Sequence, residues 1–253
     1  MDNSSDNNTN EKSEPDQHSE KIVKVINPIL SLKGKERWSF AIKTMIITAV
    51  LTIIIYLVPD YYDLENITTI LSYKLLNFFG YSPHLSYFTE PITELSWFDQ
   101  VAYNSYDPRR NYYPVISIST SISNSRFIIV RACTGMQAGA LLTSLVIVTP
   151  AKTKNKISAI LWVNLTLFLG NTLRIAMMVA LTSLFMEQFG LSYETSWYWA
   201  HDVLAKPIGI LGTIGFVLLV EKNNVPILDT MTTWIDSFFD LFDYITGSKK
   251  PKK

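Results

Sequence analysis

The sequence predicts an α-helical integral membrane protein: a four-span helical bundle with amphipathic interfacial helices and a small extracytoplasmic β-hairpin insertion. Three observations carry this. Apolar residues make up 48% of the chain and charged residues 17%, below the usual quarter. The charges are clumped: residues 1–37 are crowded with Asp, Glu, Lys, Asn and Ser, while long stretches beyond carry almost none. Those stretches approach the ~20 residues needed to cross a hydrocarbon core of about 30 Å.

Taken in order, residues 1–20 are polar, lack an apolar h-region and do not read as a cleavable signal; disorder is expected there. Lys21, Lys24, Lys33, Lys35 and Arg37, followed by Trp38, read as a basic juxtamembrane segment with an interfacial aromatic. The first span is expected over 39–58, as an uncleaved anchor. Lys43 snorkels to the interface, and Pro59 and Asp60 end the helix. Ile67, Ile70, Leu71, Leu75, Phe78 and Phe79 recur at helical spacing. That segment is too short to span, so it lies in the interface or packs on the bundle.

Between 82 and 131 the character changes. Ile116, Ile118 and Ile122 alternate with Ser117, Ser119, Ser121 and Ser123. A turn is expected at Asn124-Ser125, with a return strand over Arg126–Arg131. The second span follows over 134–150, where Gly135 and Gly139 permit close helix contact. Lys152, Lys154 and Lys156 separate it from a third span, 157–186. At roughly 45 Å as a helix, that span must tilt or project. Trp197, Tyr198 and Trp199 form an aromatic belt in a loop over 187–200. The fourth span is 201–220, with a kink expected at Pro207. Residues 227–245 are amphipathic, with Asp229, Asp236, Asp240 and Asp243 on the polar face, and a Lys-rich tail ends the chain. The division is thus a tail (1–37), a membrane-embedded domain (38–222) and an amphipathic helix with a basic tail (223–253).

Basic clusters before span one, between spans two and three, and after span four put both termini in the cytoplasm. The 60–132 loop, with Arg109, Arg110, Arg126 and Arg131, then lies outside, as does the 187–200 loop. A net charge of zero gives no field for nucleic acid. One cysteine excludes an intrachain disulfide and a multi-cysteine zinc site, and His18, His84 and His201 have no metal-ligand spacing. No metal or cofactor is expected.

Three reactive side chains fall at one level. Cys133 opens span two at its outer end, and His201 opens span four likewise. Arg174 lies 17 residues past Ile157, roughly 25 Å up span three. An arginine there costs about 2.5–3.5 kcal/mol on insertion scales unless it has a partner, a task or a route to the headgroups. Asn171, three residues earlier, shares its face and is placed to hold the guanidinium. A lone cysteine in a membrane helix is ordinarily an apolar filler, but at a helix N-terminus beside an arginine its thiolate is favoured. An interfacial histidine among Trp and Tyr is ordinarily an anchor.

Ala132-Cys133-Thr134-Gly135 resembles the AC[ST]G motif of the exosortase/archaeosortase family. Asn171-Thr172-Leu173-Arg174 resembles its NxxR motif, and His201 its third residue, in the same order on successive helices over roughly 40–220. The small core is similar to that of a small archaeosortase; many exosortases have about eight spans. The resemblance implies a cysteine transpeptidase acting on surface proteins that carry a C-terminal sorting signal: a short motif, a transmembrane helix and a basic tail. It implies Cys133 as nucleophile, Arg174 as oxyanion stabiliser, His201 as acid and base, Asn171 in support, and a membrane lipid as a possible acceptor.

Two other classes fit parts of the sequence. A non-enzymatic scaffold would bind partners through the long loop and the acidic helix, with Cys133 as packing. A small transporter would line a pathway with Arg174, yet beyond Gln137, Asn164 and Asn171 little polar lining is present, and no internal repeat is found. There is no GxSxG, no HExxH and no pair of intramembrane aspartates. Trp97-Phe98 and Trp197–Trp199 read as interface anchors. Asp202 and Lys206, four apart, are expected to pair; Asp202 orienting His201 is the alternative.

Overall fold

The computed structural model describes residues 29, 32, 34–57, 61–88, 113–120 and 124–246. The expected disorder of 1–20, Lys21, Lys24, Lys33, Pro59, Asp60, Trp97-Phe98, Arg109, Arg110, Ser121, Ile122, Ser123 and the Lys-rich tail lie outside these residues. The fold is mostly helical with one small sheet. Helices α1 (Gly34–Leu57) and α2 (Tyr62–Phe78) precede strands β1 (Pro83–Phe88), β2 (Tyr113–Ser119) and β3 (Asn124–Ile128). A 3₁₀ turn, Arg131–Thr134, leads into α3 (Met136–Val148) and α4 (Thr153–Phe189). Then come α5 (Tyr193–Trp197), a π-helical segment (Tyr198–Ala205), α6 (Lys206–Lys222) and α7 (Ile227–Ile245).

Among the described residues, three helical runs are long and apolar enough to cross a membrane: α1, α4 and the continuous run Tyr193–Lys222. Their exposed residues are largely apolar away from the helix ends. On α4, Ile157, Leu161, Leu165, Leu169 and Leu173 form an exposed stripe at i, i+4 spacing that ends one residue before Arg174. Such a stripe is stable only against hydrocarbon or another apolar surface.

The segment expected as the second span differs. Its helix, α3, has 13 residues, or about 20 Å. At one end the 3₁₀ turn and Gly135, at φ 78°, interrupt the helix. At the other, Thr149 is extended ahead of Pro150, because the residue before proline avoids the α region. The third span is longer than expected, 37 residues, and stops where Gly190 takes the left-handed conformation of a helix C-cap. The expected 187–200 loop shrinks accordingly. Ser192 caps α5 by accepting from the Thr195 N–H at 3.3 Å, and Trp197, Tyr198 and Trp199 are helical. Pro207 sits inside the continuous run Tyr193–Lys222, just past the π segment; a residue with no N–H to donate thus falls beside the change from i→i+5 to i→i+4 bonding, an irregularity already present in the ladder.

Helix α2 is inside out relative to a water-soluble helix. Glu65, Thr68, Thr69 and Ser72 are buried, while Ile67, Ile70 and Phe78 are exposed. Its inner face lies along α4: Ser72 donates to the Thr172 carbonyl at 3.3 Å, Leu76 packs with Ile175, Ala176 and Val179, and the Tyr81 hydroxyl reaches the Ala180 carbonyl at 3.2 Å. The segment thus packs on the bundle.

The expected hairpin is present, but it is the second half of a three-stranded antiparallel sheet in the order β1-β2-β3. Asn124 and Ser125 are not its turn. They are the first residues of β3, paired with Ser119 and Ile118. Placing them in the strand aligns Phe127 with Ile116 and puts Ile116, Ile118, Phe127 and Ile129 on one face, against Ile175 and Val179 of α4. Burial of that face sets the register.

Helix α7 folds back on α1. Arg37 pairs with Asp236 at 3.8 Å and with Asp240, and the Trp234 indole donates to Thr44 Oγ1 at 2.7 Å. Asp236 and Asp240 of the acidic face are thereby partnered within the chain, while Ile235, Phe238, Phe239, Phe242 and Ile245 stay exposed.

Candidate active site

The site begins with two glycines. A Cβ on Gly135 would lie 3.3 Å from Asn171 Cγ, and one on Gly139 would lie 3.0 Å from Asn164 Oδ1 and 3.2 Å from Leu167. Their absence lets α3 approach α4. Gly135→Ala should lower stability twice over: by about 1–2 kcal/mol for a side chain in the left-handed region, and further by displacing Asn171. Gly190 has φ +60° but nothing within 4 Å, so Gly190→Ala should show the first cost alone. Thermal unfolding of the two variants in detergent checks this; equal losses would remove the contact contribution.

Cys133 lies in the 3₁₀ turn, its N–H bonded to the Val130 carbonyl at 2.7 Å. It is half-buried and packs on the cluster that contains Leu76, Ile116 and Ile175. Asn171 donates its side-chain amide to the Cys133 carbonyl. So the asparagine expected to hold the guanidinium holds the cysteine turn instead. Nor is Cys133 in the first turn of α3. It precedes the helix by three residues, with left-handed Gly135 between them, and a helix-end field falls off within about one turn.

Arg174 is one turn beyond Asn171 on α4. Its Nε is buried and has no hydrogen-bond partner among the described residues. One terminal nitrogen lies 3.5 Å from where a Cβ of Gly209 would stand, so α6 offers the guanidinium room through a glycine. Both residues line a cavity of about 640 Å³ between α3, α4 and α6. Gly135, Gln137, Asn171, Arg174 and Lys206 are on its wall, and Leu167, Gly212 and Phe216 line it further along the helices. Its lining is mostly apolar, with polar groups from Gln137, Asn171, Arg174, Lys206 and Thr213.

His201 is in the middle of the π segment. Such segments recur at functional positions inside α-helices. Its ring stacks on Trp197, centroids 5.0 Å apart and planes 8° apart. Its Nδ1 is 3.2 Å from Asp202 Oδ1, and the same oxygen takes Lys206 Nζ. Both expected roles of Asp202 therefore coexist. A carboxylate at Nδ1 leaves Nε2 as the nitrogen for chemistry.

Asn171 and Cys133 are in contact, and Asn171 and Arg174 share the cavity. Cys133 and Trp197 border one cluster, and Trp197 carries the His201 ring. The cavity wall does not include Cys133 or His201 themselves. It includes Gly135, two residues on, and Lys206, whose N–H bonds the His201 carbonyl. The sequence reading missed Gly209, the Trp197 stack and the facing of Lys206. A glycine opposite an intramembrane arginine has no signal at helical spacing within one segment. The Trp197–His201 pair, at i, i+4, was legible as a possible contact.

A family model described as transmembrane exosortase (Exosortase_EpsH) matches residues 28–211. That range holds the cysteine turn, the Asn171–Arg174 turn, the π segment and Gly209. Comparison with curated proteins gave no match, and comparison with solved structures gave none.

Proposed function

The chain belongs to the transmembrane exosortase family, a membrane-embedded class that processes C-terminal sorting signals of secreted proteins, and from that premise we propose that it does so by cysteine transpeptidation. Cys133 gives its thiol proton to His201 and attacks the scissile carbonyl, forming a sulfur–carbon bond. Arg174 stabilises the oxyanion. His201 gives a proton to the leaving amine as the carbon–nitrogen bond breaks, leaving a thioester. An acceptor, a membrane lipid or water, then gives its proton to His201 and attacks the thioester; the sulfur–carbon bond breaks, and the leaving sulfur takes that proton back from His201 as the thiol. Asn171 is the positioning residue for the cysteine turn.

The observation that carries this reading is the double engagement of one helical turn. Asn171 holds the Cys133 carbonyl while Arg174, one turn on, turns a guanidinium with an unpartnered buried Nε toward α6. A cation in that position is costly unless an anion forms beside it.

We place the protein in the plasma membrane, multi-pass, with both termini cytoplasmic and the site facing outward. Four chain passes, with α3 as the short one, fit this. So do the basic residues Lys35, Arg37, Lys152, Lys154, Lys156 and Lys222, which flank the opposite ends of the same helices. Lys156 Nζ caps the Ile147 carbonyl at 2.6 Å, and Arg37 meets α7 after α6 ends.

The test is reconstitution of the full chain in vesicles with a reporter ending in a tripartite signal. The reporter should lose its tail, and neutral hydroxylamine should divert it to a C-terminal hydroxamate detectable by mass. No cleavage with both proteins inserted would overturn the enzyme reading, and cleavage without capture would remove the thioester.

A further inference from the structure

The strand that leads into the cysteine turn has an edge that no described strand uses. The Ile129 N–H bonds the Pro114 carbonyl at 2.9 Å. With the register Ile116↔Phe127 and Ile118↔Ser125, antiparallel pairing alternates. Ser125, Phe127 and Ile129 therefore direct their N–H and C=O groups to β2, and Asn124, Arg126 and Ile128 direct theirs to the other edge. No strand pairs with that edge among the described residues. Asn124 and Arg126 are exposed and Ile128 half-exposed, while Ser125 and Phe127 are buried. An edge of this kind is a template for another strand.

Three features make the edge more than a sheet boundary. First, Ile128 is five residues ahead of Cys133 in the sequence, within about 17 Å of chain even if fully extended. Second, Phe127 anchors β3 to the ring set that carries His201: it lies 6.1 Å from Tyr193 and 5.8 Å from Trp197. Strand, nucleophile and histidine are thus one packed unit. Third, chain direction fits. β3 runs toward the cysteine turn. A substrate whose transmembrane helix follows its scissile bond also runs toward that turn, and then on into the membrane.

Resting on the enzyme reading above, we propose that the substrate's short motif binds as a fourth strand, parallel to β3, with its backbone on the outward groups of Arg126 and Ile128. Main-chain pairing supplies affinity, and alternate side chains of the motif supply specificity. The strand delivers its C-terminal end, the scissile carbonyl, beside Cys133. The occupant is an extended peptide segment of about four to five residues, the length of edge between Asn124 and the turn.

Two measurements on the full chain in vesicles test this. In the first, a reporter peptide with a sorting signal is scanned with single backbone ester replacements ahead of the scissile bond. Cleavage should fall with a period of two, by about two- to tenfold in kcat/KM at the sensitive positions, because only every second amide faces β3. In the second, Ile128→Pro removes an N–H that β2 does not use, so the sheet is retained and KM should rise by a similar factor with kcat little changed. Should Ile128→Pro unfold the protein, hydrogen exchange decides: the Arg126 and Ile128 amides of the unaltered chain should gain protection when the peptide is added. Cleavage of the all-amide peptide with a uniform ester response, or with no protection at those amides, overturns the pairing and leaves the enzyme reading intact. No cleavage of the all-amide peptide overturns both.

Discussion

Replacing Cys133 by alanine should reduce processing of a sorting-signal reporter by at least about 10³-fold, the order seen when a covalent nucleophile is removed and only binding and electrostatic stabilisation remain. The fold should survive. The thiol is half-buried at the border of its cluster, whose centre is Leu76, Ile116 and Ile175, and the Asn171 bond goes to the backbone carbonyl, which alanine keeps. Unfolding temperature in detergent should therefore shift little while turnover vanishes. Cys133→Ser separates chemistry from packing more sharply. It preserves shape and offers a hydroxyl, which without the low pKa of a thiol is a far weaker nucleophile at neutral pH. Rate and stability are read on the same preparations. Wild-type processing by Cys133→Ala would transfer the chemistry elsewhere, and a silent Cys133→Ser would favour the scaffold, in which the cysteine only packs.

What the sequence revealed and concealed divides along one physical line. Patterns that repeat within a segment were legible. The apolar runs gave α1, α4 and the last spanning run, and alternation over Ile116–Ser119 gave a strand. The ordered motifs gave the family and four residues of the candidate site. What depended on contact between segments was not legible. The polar face of α2 reads as solvent-facing until Ser72 is seen on Thr172. The turn at Asn124-Ser125 rested on residue type, and burial of Phe127 against α4 and the aromatic rings overrode it. Asn171 shares a helix face with Arg174, yet its amide is used by a different helix's approach, through Gly135. The acidic face of α7 had no visible partner because Arg37 is about two hundred positions away.

Arg174 should respond to substitution with opposite signs in activity and stability. Its guanidinium lines a mostly apolar cavity, and Nε has no partner among the described residues. A half-buried guanidinium with one buried nitrogen left without a hydrogen bond costs the folded protein free energy. Arg174→Gln removes the charge, retains a polar end beside Gly209 and should raise the unfolding temperature by a few degrees. The same change should lower kcat by about 10²–10³-fold, the usual loss when one oxyanion donor is removed. KM should move little, because the oxyanion exists only in the transition state. Arg174→Lys keeps the charge but replaces a planar fork of N–H groups with a strongly hydrated point charge, so it should remain slow and gain no stability. The pair of variants separates three explanations. Activity lost in both, with stability gained in Gln alone, is the signature of a geometric oxyanion site. Full activity in Lys reduces the requirement to charge. Lost stability in Gln, together with lost activity, would mean that the arginine holds α4 against α6 and that chemistry fails because the helices part.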